Sequence, residues 1–299
     1  MIENNKFHVK IAGAVKHFGL MLELSNDLKR FTDELDFSFY DGPNLCKWNG
    51  GRINEEIFLT PGKVKFYNDR GFGVFLTFSN PIIDVNDKVG NELLEMLNRN
   101  KLNGVIIINE ELRKYVQEKY PEYQIIFSIS GHPNSVIPTK ELIDYYKDLE
   151  SKYEVIVPRF EMGLNETFYN AVDVTKYELI VNDKCIYNCN IFREHLFTMA
   201  EFNRKYNNPW KEQPFDVCNK AHECWIKSFN PDEGSEKDRQ KHGISLGMAF
   251  TDEMYNKALS LGYTRFKIMG RELTKEKLKH DILKHVNDIY SAVKRFKNG

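Results

Sequence analysis

Eight short runs of β-branched and aromatic residues, most of them separated by helical patterns, limit what this chain can fold into. The runs are Phe7–Ala14, Phe37–Tyr40, Val74–Ser79, Val105–Ile108, Gln124–Ser130, Tyr153–Val157, Glu178–Val181 and Arg265–Met269. Several are apolar without a break, as strands covered on both faces are. Helical patterns occupy Phe18–Phe31, Asp87–Leu97, Glu110–Lys119 and Thr139–Ser151. Near the C-terminus Leu278, Ile282, Val286, Ile289, Val293 and Phe296 fall on one helical stripe, with Thr274 as a cap before it and Thr139 as a cap for the earlier helix. This alternation predicts an α/β fold, a (β/α)8 TIM-like barrel, as one domain over 1–299. A doubly wound sheet would want a Gly-rich phosphate loop after an early strand, and Gly13 alone is not one.

Two stretches make the expected barrel irregular. Asp41–Gly71 shows no convincing helix and reads as a hairpin, with Gly50-Gly51-Arg52 as a tight turn or a backbone platform over a ligand. The second, roughly 182–245, reads as a long insert after strand seven. It holds four of the five Cys. Loops that follow barrel strands build the active-site face, so the insert is expected at the business end of the fold.

Lys plus Arg number 42 against 43 Asp plus Glu, a formal net charge of −1. No overall basic field is present to hold nucleic acid by phosphate neutralisation alone, which leaves only a local cleft for such a role. Apolar runs such as Gly104–Ile108 fall far short of the roughly 20 residues of a membrane helix. The stretch Met1–Lys6 has no apolar signal core. The expectation is a soluble cytoplasmic protein with no membrane partner.

Cysteine spacing carries the strongest chemical signal. Cys185 and Cys189 form a C-x3-C pair, Cys218 and Cys224 a C-x5-C pair, and Cys46 stands apart. In a reducing compartment an odd set of this kind points to metal ligation or catalysis before disulfides. Four thiolates suit an iron–sulfur cluster. Zinc is the alternative, although its structural sites usually use closer pairs. Buried, unligated thiols are the plain reading. A radical S-adenosylmethionine enzyme would need a third Cys at Phe192, which excludes that class. His195 and His222 are candidates for ligation or proton transfer.

Polar residues at the predicted strand ends form a second set: Asp41, Asn80, Asn109 with Glu110, His132, Arg159 with Glu161, Asn182 with Asp183, and Lys267 with Arg271. A barrel gathers such ends around one pocket. Among them Glu161 is the acid–base candidate, and Arg159 and Arg271 are candidates to grip a carboxylate or phosphate.

Three elements together resemble the collagenase-like peptidase family U32. They are Tyr40-Asp41-Gly42 with Gly50-Gly51-Arg52, the run from Val181 through Cys185 and Cys189 to Arg193 and His195, and Phe266-Lys267-Ile268-Met269-Gly270-Arg271 before a final helix. The resemblance, that of a divergent branch, extends in order over nearly the whole chain. It implies a TIM-like barrel with an oxygen-sensitive [4Fe–4S] cluster on four Cys. Despite the peptidase name, it implies O2-independent hydroxylation of RNA bases or small quinone precursors, with prephenate implicated as hydroxyl source. By position, Cys185 and Cys189 are the implied ligands, completed by Cys218, Cys224 or Cys46. Five Cys compete for four places, and Asn190 stands where a Pro often follows the second Cys. Glu161, Arg159, His195 and Arg271 would then hold or protonate a small-molecule substrate or RNA base. The alternatives are a hydrolase and a metal-stabilised binding or assembly subunit, alone or as a homo- or hetero-oligomer. The sequence has neither a Gly-x-Ser-x-Gly elbow nor a His-Glu-x-x-His pair to support hydrolysis.

Overall fold

The computed structural model describes residues 6–42, 46–50, 58–183, 189–206, 249–271 and 273–299, leaving out the side chains of 202, 205 and 206. Eight strands are present: β1 (Phe7–Ala12), β2 (Leu35–Asp41), β3 (Gly73–Phe78), β4 (Gly104–Ile107), β5 (Gln124–Phe127), β6 (Val155–Ile156), β7 (Glu178–Ile180) and β8 (Arg265–Ile268). All pair in parallel, in the order β6-β5-β4-β3-β2-β1-β8-β7. A parallel bridge between Ile156 and Tyr177 brings β6 against the start of β7 and nearly closes the barrel. The expected (β/α)8 architecture is therefore present, with each sequence run supplying one strand.

Parallel neighbours cannot be joined by a hairpin, so crossovers carry the helices. These are α1 (Phe18–Lys29), α2 (Pro61–Asn68), α3 (Lys88–Met96), α4 (Glu110–Lys119), α5 (Lys140–Lys152), the short α6 (Phe160–Gly163) and α7 (Glu166–Tyr169), α8 (Phe192–Tyr206), α9 (Asp252–Ser260) and α10 (Lys275–Asn298). Thr139 and Thr274 cap α5 and α10 as their sequences suggest, accepting from Leu142 N at 3.3 Å and Lys277 N at 3.4 Å.

Side chains on a strand alternate in direction, and the two faces of this sheet build two cores. Val9, Ile11, Val74, Leu76, Val105 and Ile107 point outward into one cluster with the helices. Ala12, Tyr40, Phe75, Ile106, Ile126, Val155 and Ile180 form a second cluster inside the barrel. Strands pack closely at Gly104, where a Cβ would lie 2.2 Å from Gln124 O, so only glycine fits.

Two helices depart from the sequence expectation. Within Asp41–Gly71, α2 starts at the Thr60-Pro61 cap, with Thr60 Oγ1 accepting from Lys63 N. Its buried residues are only Val64 and Tyr67, too few to show as a stripe. The hairpin expected there falls largely on 51–57, outside the described residues. In the stretch expected to be a long insert, α8 buries Phe192, Leu196, Met199 and Ala200 on one side. Within that insert, 184–188 and 207–245 lie outside the described residues.

Candidate active site

α8 lies across the C-terminal mouth of the barrel, held by four of its loops. After β5, Asn134 Oδ1 accepts from Arg193 N at 2.8 Å, and its Nδ2 donates to Glu194 at 2.5 Å. The first carries out from another loop the task of an N-cap. After β3, Asn80 Nδ2 donates to Ala200 O at 2.9 Å. In the loop after β2, Cys46 O and Asn49 O accept from Asn203 Nδ2 at 3.2 and 3.0 Å. After β6, Arg159 Nη1 donates to Cys189 O at 3.4 Å, and its guanidinium stacks over the Phe192 ring at 4.2 Å. Cys189, Phe192 and Leu196 thereby join the apolar cluster inside the barrel.

Below this cap the barrel carries charge. Lys10, Glu178 and Lys267 occupy inward positions on β1, β7 and β8, each at most 5% exposed. Lys10 Nζ lies 2.7 Å from Glu178 Oε2, and Lys267 Nζ lies 3.6 Å from Oε1. The ammonium groups also sit over the rings of Phe75 and Tyr40, at 4.1 and 4.3 Å. Burial would raise the Glu178 carboxyl, but Lys10, Lys267 and Arg265 together hold it below the usual carboxylate range. Burial pushes Lys267 down to about 7 against the pull of Glu178, and Lys10 and Arg271 add to the descent.

The residues singled out from the sequence fall into distinct roles. Arg159 and Glu161 pair with each other, at 2.9 Å between Nη2 and Oε1, both side chains buried. Arg159 also donates to Asn134 O at 3.2 Å, so this pair ties the β6 mouth to the cap. Asp41 is spent on backbone, accepting from Val15, Lys16 and Gly42 N–H groups at 2.9–3.0 Å. Asn109 caps α4 through Leu112 N. Asn182 clamps Met269, accepting from its N at 2.7 Å and donating to its O at 3.0 Å. His132 is fully buried, with Nε2 2.8 Å from Val157 O, and burial above all pushes its pKa down to about 3, so it is neutral. His195 is half-buried on α8. Lys267 belongs to the interior of β8, whereas Arg271 sits past Gly270 at the mouth. Arg271 is 8% exposed, and its Nη1 is buried with no hydrogen-bond partner among the described residues.

Lys10, Glu178, Asn134 and Asn203 escaped the sequence reading. The first two had a signal: a charge set at an inward position of an otherwise apolar strand. The asparagines had none, because their partners lie far along the chain.

Of the cysteines, Cys46 is buried in the β2 mouth loop and Cys189 at the start of α8. Burial pushes the Cys46 thiol up to about 12, so ligation there would need a cation to displace its proton. Cys185, Cys218 and Cys224 lie outside the described residues, as does His222. No group of three or more His, Cys, Asp or Glu able to hold a metal occurs among the described residues. Among the described residues no helix is long and apolar enough to cross a membrane. A separate cavity of about 270 Å³ lies beside the mouth, between Lys47, Trp48, Ile82, Asp84, Asp87 and Arg204.

No protein-family model matches the sequence, and no curated protein matches it. Among solved structures, one described as that of the U32 peptidase Mk0906 is similar over 89% of this chain and 93% of its own, with a TM-score of 0.53 and 12% identity. At that identity the likeness is one of fold.

Proposed function

We propose that this chain is a barrel enzyme with a thiolate-held metal centre of the [4Fe–4S] kind at the mouth of β7, acting in redox chemistry on a small molecule or RNA base. One observation carries the reading. The chain leaves β7 at Asn182, runs through Cys185 and Cys189 into α8, and after the span bearing Cys218 and Cys224 returns to the same point. Ala249 pairs antiparallel with Asn182, and Phe250 N donates to Val181 O at 2.8 Å. Both ends of the cysteine-bearing excursion are thus tied to one strand mouth. The donor set fits in kind, since four thiolates are what such a cluster takes. Zinc on the same thiolates is the competing occupant.

When bound, the cluster supplies electron transfer or an open iron site. The protein supplies the rest. The Arg159–Glu161 pair fixes the backbone at Cys189. The apolar side of α8 keeps water from the barrel interior, which strengthens every charge interaction there. His195 is the candidate to move a proton, and Arg271 the candidate to hold substrate. In the O2-independent hydroxylation implied by the family resemblance, a hydroxyl passes from a donor molecule to the substrate and a hydrogen passes back, so no external oxidant is consumed.

The test is iron and acid-labile sulfide after strictly anaerobic purification, with a visible spectrum, for the wild type and each Cys→Ser variant. About four of each per chain, lost in four of the five variants, supports the reading. A colourless protein with stoichiometric zinc overturns it. The fold likeness to a U32 peptidase keeps hydrolysis as a second reading, favoured if peptide turnover survives removal of the cysteines.

A further inference from the structure

We infer that Arg271 anchors an oxyanion subsite at the mouth of β8, which takes the carboxylate or phosphate group of a small-molecule substrate. The inference deepens the proposed function by naming the substrate class, and it rests on that reading only in assigning the anion to a substrate.

The first ground is the buried Nη1 that has no partner among the described residues. Folded chains pair nearly all their buried polar groups, and an unmatched charged donor is among the costliest exceptions. A ligand that completes such a group is one reason for it to be retained. Asp41, at the mouth of β2, is occupied by three backbone N–H groups.

The second ground is preorganisation. Gly270 has φ of +131°, and a Cβ there would come within 2.9 Å of Leu273 Cδ1, so glycine alone makes this turn out of β8. Asn182 grips Met269 from both sides. The His17 ring nitrogen Nε2 donates to Arg271 O at 3.1 Å, in the tautomer that carries its proton there. His17 itself is seated against Gly13, whose φ is +97°. Three neighbours therefore fix the backbone that aims the guanidinium.

The third ground is charge. Lys10 and Lys267 share the single carboxylate of Glu178, and Arg271 lies close enough to Lys267 to depress its pKa. Inside the barrel on this side the ammonium groups therefore outnumber the carboxylate they share. The planar fork of a guanidinium matches the two oxygens of a carboxylate or phosphate.

The experiment measures binding on the full chain, in chloride buffer, with inorganic phosphate and with malonate as separate probes. Calorimetry gives affinity and thermal melting gives stabilisation. Saturable binding of one probe is expected, and which one binds tells phosphate from carboxylate. Arg271→Gln should weaken it by about tenfold or more, the loss of charge-assisted bonds, and Arg271→Lys by less. Without anion, Arg271→Gln should melt at or above the wild type, because an uncompensated charge has gone. Two results overturn the inference: neither probe binds the wild type, or binding is equal in Arg271→Gln. A third is an anion-free Arg271→Gln protein that melts well below the wild type, which would mean the chain itself pairs Arg271. Binding that persists in iron-free Cys185→Ser protein upholds the subsite whatever becomes of the cluster.

Discussion

Replacing Glu178 by Gln strands two ammonium groups inside the barrel. Lys10 Nζ lies 2.7 Å and Lys267 Nζ 3.6 Å from the Glu178 carboxylate, and none of the three side chains is more than 6% exposed. Gln keeps the volume and one carbonyl acceptor, so the loss is one of charge. Removing one partner from a buried pair costs about 3–5 kcal/mol. In a chain of this length that corresponds to a fall in Tm of roughly 5–8 °C. The cost also depends on pH with a definite sign. Burial takes Lys267 from 10.5 down to about 7. Between those values the unfolded chain holds a proton that the folded chain does not, so stability rises with pH through the window and is lost as pH falls through about 7. Without Glu178 both amines shed their protons at lower pH still. The deficit of Glu178→Gln is therefore greatest near pH 6 and shrinks toward pH 9 (both values approximate). Urea denaturation at both ends of that range, for the wild type, Glu178→Gln and Glu178→Gln with Lys10→Met, measures it. The second substitution removes one stranded charge and should recover much of the loss at the acid end. A deficit below about 1 kcal/mol there, no larger than an exposed ion pair is worth, or a gap that widens with rising pH, would refute the reasoning.

Other parts of the fold make equally direct predictions. His132, neutral and buried with its pKa pushed down to about 3, binds a proton only on unfolding between that value and 6.5. Stability should then fall by up to about 1.4 kcal/mol per pH unit as pH drops through this range, and His132→Phe should flatten that slope; an unchanged slope in denaturant titrations would count against it. Gly104→Ala places a Cβ 2.2 Å from Gln124 O and 2.6 Å from Phe75 Cε1, and overpacking between two strands should cost about 2 kcal/mol or more, read as a lower Tm. Asn134→Ala removes the cap borrowed by α8, a loss of about 1 kcal/mol that should speed proteolytic cleavage within 189–206 while leaving cleavage elsewhere unchanged.

The strands were legible because each needs an outward apolar side to meet its helix, and that demand writes itself locally into runs such as Phe7–Ala12 and Gly104–Ile107. The long α10 was legible for the same reason, with Leu278, Ile282, Val286, Ile289 and Val293 all buried. Short α2 was not, because two buried residues make no period. α8 did carry a readable stripe in Phe192, Leu196, Met199 and Ala200, but the cysteines and polar residues around it suggested loop. In the site, residue types at strand ends were readable and their pairings were not. Nothing in the order of residues says that Arg159 meets Glu161 while Arg271 Nη1 finds no hydrogen-bond partner among the described residues. That difference arises only when the barrel brings distant mouths together.

The two arginines divide the mouth into halves with different physics. On the β6 side the charge of Arg159 is cancelled by Glu161, and the guanidinium lends its flat face to Phe192, so that half ties down the start of α8. On the β8 side, Lys10 and Lys267 share one carboxylate, and Arg271 Nη1 is buried with no hydrogen-bond partner among the described residues, an arrangement that an anion from outside would complete. β7 lies between them, paired with β8 and bridged to β6. A metal centre held at that strand would thus have a fixed backbone on one flank and a held anion on the other. The apolar cap above would keep the dielectric low, which is where a single guanidinium contributes most to binding and orientation. Selection at the proposed Arg271 subsite should accordingly follow the charge of the small molecule before its shape.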